Sequence, residues 1–99
     1  MATFWGSVDT RRLAAVCDRY GIAALHVFGS AARDEDTPGS DIDLLYELLP
    51  GTRLGWEIDD LADELSDLFG RTVDLVARRA INLRLREAIL HDARPLYAA

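Results

Sequence analysis

Gly29-Ser30, followed after ten residues by Asp41-Ile42-Asp43, is where the residue types and their spacing can do chemistry. The segment reads VFGSAARDEDTPGSDIDLLYEL. An apolar run ends in a Gly-Ser turn, a polar loop follows, and a second apolar run opens with two carboxylates. Residues two apart on a strand share a face, so Asp41 and Asp43 point together while Ile42 and Leu44 point the other way. Two neighbouring carboxylates repel each other, and a fold keeps such a pair readily when a cation sits between them. Beside them, Gly29 lets the backbone approach closely, and the Ser30 hydroxyl and following N–H groups can receive an anion. Handling a magnesium-bound phosphate requires that juxtaposition of a cation site and an anion site.

The elements that must position these residues can be read from periodicity. A helix is predicted from about Val8 to Tyr20, with Leu13, Val16, Cys17 and Tyr20 at helical spacing, Ser7 or Asp9 as cap and Gly21 as stop. Ile22–Phe28 reads as a strand, Ala31-Ala32-Arg33 as the start of a short helix, and Thr37-Pro38-Gly39 as a turn. Asp41–Leu48 is the second strand, broken by Pro50-Gly51. The clearest stripe is Leu54, Ile58, Leu61, Leu65 and Leu68, in a helix from about Arg53 to Phe69 that Gly70 ends. Thr72–Ala77 makes a third strand with Asp74 at its centre. Asn82 can cap a last helix carrying Leu85, Ala88 and Ile89 on one side, and Arg94–Tyr97 can add an edge strand. Helices alternating with strands predict an α/β (α+β) fold, a small mixed sheet with helices packed against it.

Composition narrows the chemistry. Ninety-nine residues, 49% of them hydrophobic, predict one domain over 1–99 with a modest core. The net charge of −6 argues against direct nucleic-acid binding and favours a basic partner. All eleven cations are arginines. The absence of lysine excludes a Walker-type loop, a kinase-type strand lysine and Schiff-base chemistry. Phosphate must therefore be met by metal, arginine or backbone N–H. Nothing approaches a membrane span or a signal peptide, and the single Cys17 fits a core role, so a cytoplasmic protein is expected.

With these motifs quoted, the chain resembles the minimal nucleotidyltransferase domain of the polymerase-beta-like superfamily, whose signature is Gly-Ser, ten residues, Asp-x-Asp. It is most similar to the antitoxins of that family encoded beside HEPN-type toxins, and the resemblance runs from the first helix to Pro95-Leu96-Tyr97. That resemblance implies a catalytic and metal-binding triad of Asp41, Asp43 and Asp74, two magnesium ions, and ATP as substrate. It also implies nucleotide contacts from Gly29 and Ser30, and an Arg33 contact to phosphate. The implied reaction transfers AMP to a hydroxyl, a tyrosine of a HEPN ribonuclease toxin, within a hetero-oligomer. Two alternatives stand beside it: neutralisation by masking without catalysis, and transfer to a small hydroxyl compound.

Independently of any family, an aspartate flanked by Val73 and Leu75 is costly unless its side chain finds a partner. Relatives often carry glycine after the loop arginine, where this chain has Asp34, Glu35 and Asp36. Glu57, Asp59, Asp60, Asp63, Glu64 and Asp67 form an acidic run with no intervening base. A solvated face is the default for it, and a basic partner is the sharper expectation. Arg78, Arg79, His26 and His91 are expected in ordinary surface or packing roles.

Overall fold

The computed structural model describes residues 8–33, 35, 39–81 and 83–99, with 83–85 described by backbone alone. Helix α1 (Thr10–Tyr20) leads into strand β1 (Ile22–Phe28), and strand β2 (Ile42–Leu48) follows the loop. Helix α2 (Glu57–Phe69), strand β3 (Val73–Ala77), a single 3-10 turn (Arg78–Ala80), helix α3 (Leu83–Asp92) and strand β4 (Arg94–Ala98) complete the order. The sheet runs β3-β2-β1-β4. β1 is antiparallel to both neighbours, while β2 and β3 are parallel. This is the mixed sheet with packed helices that the pattern predicts.

The helices form where apolar spacing gives them a buried stripe. α1 buries Leu13, Val16 and Cys17, and α2 buries Leu61, Leu65 and Leu68. Both stripes close on Leu25, Val27, Ile42, Leu44 and Val73 of the sheet. Each fully buried leucine contributes about 1.5–3 kcal/mol. Burial pushes the Cys17 thiol up to about 12, so it serves as a small apolar side chain. Asp9 caps α1 by accepting the Arg12 N–H at 3.1 Å, and Gly21 ends the helix at φ 70°. On β2 the residues facing away from that core are Asp43, Leu45 and Glu47, and Leu45 is itself buried.

Several boundaries differ from expectation, each for a local reason. α2 begins at Glu57, not Arg53, because the Gly55 N–H donates to Glu57 Oε2 at 2.8 Å and organises the chain just before the helix. Leu54 reaches the core from outside the helix. Ala31–Arg33 forms a turn instead of opening a helix: the Ser30 carbonyl accepts from Arg33 N at 3.1 Å and Glu35 N at 2.9 Å. β2 starts at Ile42 and β3 at Val73, leaving Asp41 and Thr72 just outside the strands. Ala88 is exposed while Ile89 is half-buried, so α3 offers a narrower inner face than its sequence suggests. The proposed cap residues Ser7 and Asn82, the Leu85 side chain, Asp34, Asp36 and Thr37-Pro38 lie outside the described residues.

The acidic run of α2 is partly tied into the fold. Glu64 accepts from Arg19 at 2.8 Å and from the Tyr20 hydroxyl, joining α1 to α2. Those bonds pull the Glu64 carboxyl below its usual range, and the hydrogen bond to Glu64 is the main cause holding the Tyr20 phenol near 12. Glu57, Asp59, Asp60, Asp63 and Asp67 stay exposed.

Candidate active site

Parallel pairing decides the geometry of the acids. Ile42 sits opposite Val73 and Asp43 opposite Asp74, so the two carboxylates stand side by side on adjacent strands. Asp41 lies immediately before β2, exposed, with Asp74 also exposed and Asp43 half-buried. Asp43 therefore feels both neighbours. Its carboxyl is raised above the ordinary range, first by burial, then by the negative charge of Asp74 and of Asp41. A raised carboxylate flanked by two others marks uncompensated negative charge.

The Gly-Ser turn meets this cluster from β1. Phe28 pairs with Asp43 across the sheet, which places Gly29 directly beside the Asp43 side chain. Gly29 has φ 73°, and a Cβ there would come within 2.7 Å of Asp43 Oδ2. Glycine is needed twice over: for the left-handed backbone and for the space the carboxylate occupies. Ser30 follows, half-buried, its carbonyl closing the turn.

Arg33 is drawn elsewhere. Its guanidinium donates to Asp92 Oδ2 at 2.8 Å and to Glu35 Oε2 at 3.2 Å, tying the loop to the end of α3. The structure thus brings together Asp41, Asp43, Asp74 and Gly29, with Ser30 at the edge, and engages Arg33 with two acids. His26, opposite Leu45 on β1, belongs to a different stretch of the sheet.

One residue that matters here escaped the sequence reading. Arg71 donates from Nε to the Ser40 carbonyl at 3.0 Å and from Nη2 to Ser40 Oγ at 2.6 Å. It fixes the residue before Asp41 to the residues before β3, and the Ile42 N–H donates to the Thr72 carbonyl at 2.9 Å alongside it. The Ser66 hydroxyl accepts from Val73 N at 3.0 Å and pins the start of β3 to α2. A lone arginine after a helix-ending glycine gives no signal in sequence.

The donor set suits a hard divalent cation, because carboxylate oxygens are its preferred ligands and Asp43 carries unrelieved repulsion. Among the described residues, no three Asp, Glu, His or Cys side chains already form a cation cage. The acids are neighbours that a metal would draw closer, not a closed ligand set. A cavity of about 510 Å³ lies at the opposite end of β2 and β3, away from this cluster. No helix among the described residues is long and apolar enough to cross a membrane.

The chain is similar to known proteins. Residues 11–97 match the family described as nucleotidyltransferase domain. A Methanocaldococcus jannaschii protein, named as a candidate protein adenylyltransferase, is 32% identical over 83 residues, 84% of this chain and 88% of its own. A solved structure of a candidate minimal nucleotidyltransferase superposes with a TM-score of 0.72 at 41% identity, covering 87% of this chain and 89% of that one. A solved toxin–antitoxin with AMP-PNP shares the fold, with a TM-score of 0.74 at 19% identity over 93% of this chain and 75% of that one.

Proposed function

The chain belongs to the nucleotidyltransferase domain family, whose polymerase-beta-like fold it has, and is an enzyme of that class; from that premise we propose that it is an antitoxin protein adenylyltransferase. Its reaction moves AMP from ATP to a hydroxyl, a tyrosine, of a cognate HEPN ribonuclease toxin with which it forms a hetero-oligomer. The observation that carries this reading is the placement of Asp43 opposite Asp74, with Asp41 adjacent and Gly29 making room for the Asp43 carboxylate.

The acceptor oxygen attacks the α-phosphorus, the bond from that phosphorus to the bridging oxygen of pyrophosphate breaks, and the hydroxyl gives up its proton. Asp41, Asp43 and Asp74 would hold two magnesium ions, which supply charge neutralisation and a lowered pKa for the attacking hydroxyl. The Gly29-Ser30 turn offers backbone N–H and a hydroxyl to the outer phosphates, and keeps Asp43 in place by leaving its oxygen unobstructed. In the absence of lysine, Arg33 is the loop cation available to phosphate, which would have to draw it from Asp92 and Glu35. AMP on the toxin adds bulk and negative charge where RNA phosphate would sit. The exposed acids of α2 fit a basic partner, the net charge of −6 disfavours direct nucleic-acid binding, and ATP chemistry on a ribonuclease belongs in the cytoplasm.

Incubation with the product of the adjacent gene, magnesium and ATP, followed by intact mass measurement, tests the reading. A gain of one or more AMP units on the partner is expected; an unchanged partner mass overturns it. A second reading, neutralisation by masking alone, draws on the exposed acids of α2, which suit a basic partner without catalysis. Full neutralisation of the toxin by Asp41→Asn with Asp43→Asn would establish masking.

A further inference from the structure

The cavity of about 510 Å³ sits where β2 and β3 end. Asp43 and Glu47 are four residues apart on β2, roughly 13 Å at the usual strand rise, so this space is separate from the carboxylate cluster. Three arginines line it: Arg78 and Arg79 from the 3-10 turn and Arg86 from α3. A single carboxylate, Glu47, lies among them and accepts from Arg78 Nη1 at 3.1 Å. Among the described residues no carboxylate pairs with Arg79 or Arg86. Among the described residues, therefore, two positive charges have no carboxylate partner, in a chain whose net charge is −6. The remaining wall includes the apolar residues Leu48, Leu49 and Pro50.

We infer that this cavity is a second anion site that takes an organic phosphate of nucleotide size, held by Arg79 and Arg86 and independent of divalent metal. A phosphate monoester carries about −1.5 to −2 at neutral pH, which matches the two unpaired guanidinium groups, and the arginine fork suits phosphate geometry. The cavity falls within the ~300–1,000 Å³ typical of small-molecule sites, far more than a bare phosphate fills. The apolar wall receives the organic part. Its concave shape favours a small ligand over a protein segment, which would need a broader surface.

AMP titrated calorimetrically into the protein in EDTA isolates this site from any metal-dependent one, so its failure is distinguishable from failure of adenylyl transfer. Saturable one-to-one binding is expected, with adenosine showing none. Arg79→Gln with Arg86→Gln should weaken AMP by about tenfold or more. Glu47→Gln, which removes the only carboxylate lining the cavity among the described residues, should tighten it roughly two- to fivefold, a gain that misfolding cannot imitate. Asp41→Asn with Asp43→Asn should leave it unchanged. Equal AMP affinity in the arginine variants, or binding of a glutamate-rich peptide in place of AMP, overturns the assignment.

Discussion

At one end of the β2–β3 pair, Asp41, Asp43 and Asp74 crowd together; at the other, Glu47 sits among Arg78, Arg79 and Arg86. The same two strands support both, yet their electrostatics are settled differently. Glu47 and Arg78 partly neutralise each other within the protein. Among the described residues no cation pairs with the acids, and Asp43 is raised by burial and then by its acidic neighbours. Charge that the fold does not neutralise favours a bound counterion. In the proposed function a divalent cation answers the acidic end, and in the inferred second site an anion answers the basic one.

The sharpest way to break this contrast is at the acidic end. Asp41→Asn with Asp43→Asn is expected to lower adenylyl transfer by about a hundredfold or more, read with labelled ATP, while the partner complex still forms by gel filtration. Gly29→Ala should come next. It forces a left-handed backbone on alanine, costing about 1–2 kcal/mol, and drives its Cβ to 2.7 Å from Asp43 Oδ2. A fall in melting temperature of roughly 4–8 °C per kcal/mol is the measure, with loss of transfer beyond what stability explains. Arg71→Ala removes both bonds to Ser40 and should cost about 1 kcal/mol by urea titration, with a moderate loss of activity because Asp41 is no longer anchored.

The smallest effect is a pH slope. Asp43 binds its proton more tightly folded than unfolded, so its protonated form stabilises the fold below the ordinary carboxylate range. That contribution is lost as pH rises through the raised folded value. Metal-free protein should therefore lose some stability across that window, and Asp43→Asn should flatten the loss and melt slightly higher at neutral pH. Millimolar magnesium with ATP should raise the melting temperature of the original chain but not of the double variant. A magnesium response that survives the double substitution would place the cation elsewhere.

Much of this was legible in sequence because the signals are local. β1 has the ends its sequence predicts, since an apolar run interrupted only by His26 lies between Gly21 and Gly29. Gly21 ends α1 as cap chemistry predicts, while Asp9, one of the two caps the sequence offers, starts it at Thr10 and not at Val8. The α2 stripe was clear, but its start was misplaced because Leu54 keeps helical spacing while Gly55 interrupts the helix itself. The turn after Ser30 was misread as a helix because alanines favour one locally, and the hydrogen bonds that override it return to the Ser30 carbonyl.

What the chain determined by itself was the inventory: three aspartates in strand-like settings, a Gly-Ser turn at fixed spacing from two of them, two amphipathic helices, and arginine as the sole cation apart from histidine. Alternation and capping act between residues a few positions apart, so they survive in a linear reading. Tertiary structure decided which of these meet. Asp74 faces Asp43 at a separation of 31 in sequence, Arg33 reaches Asp92 at a separation of 59, and Arg86 joins Arg78 and Arg79 around a cavity. Those meetings depend on strand register and helix crossing, which follow from burying the whole apolar core at once.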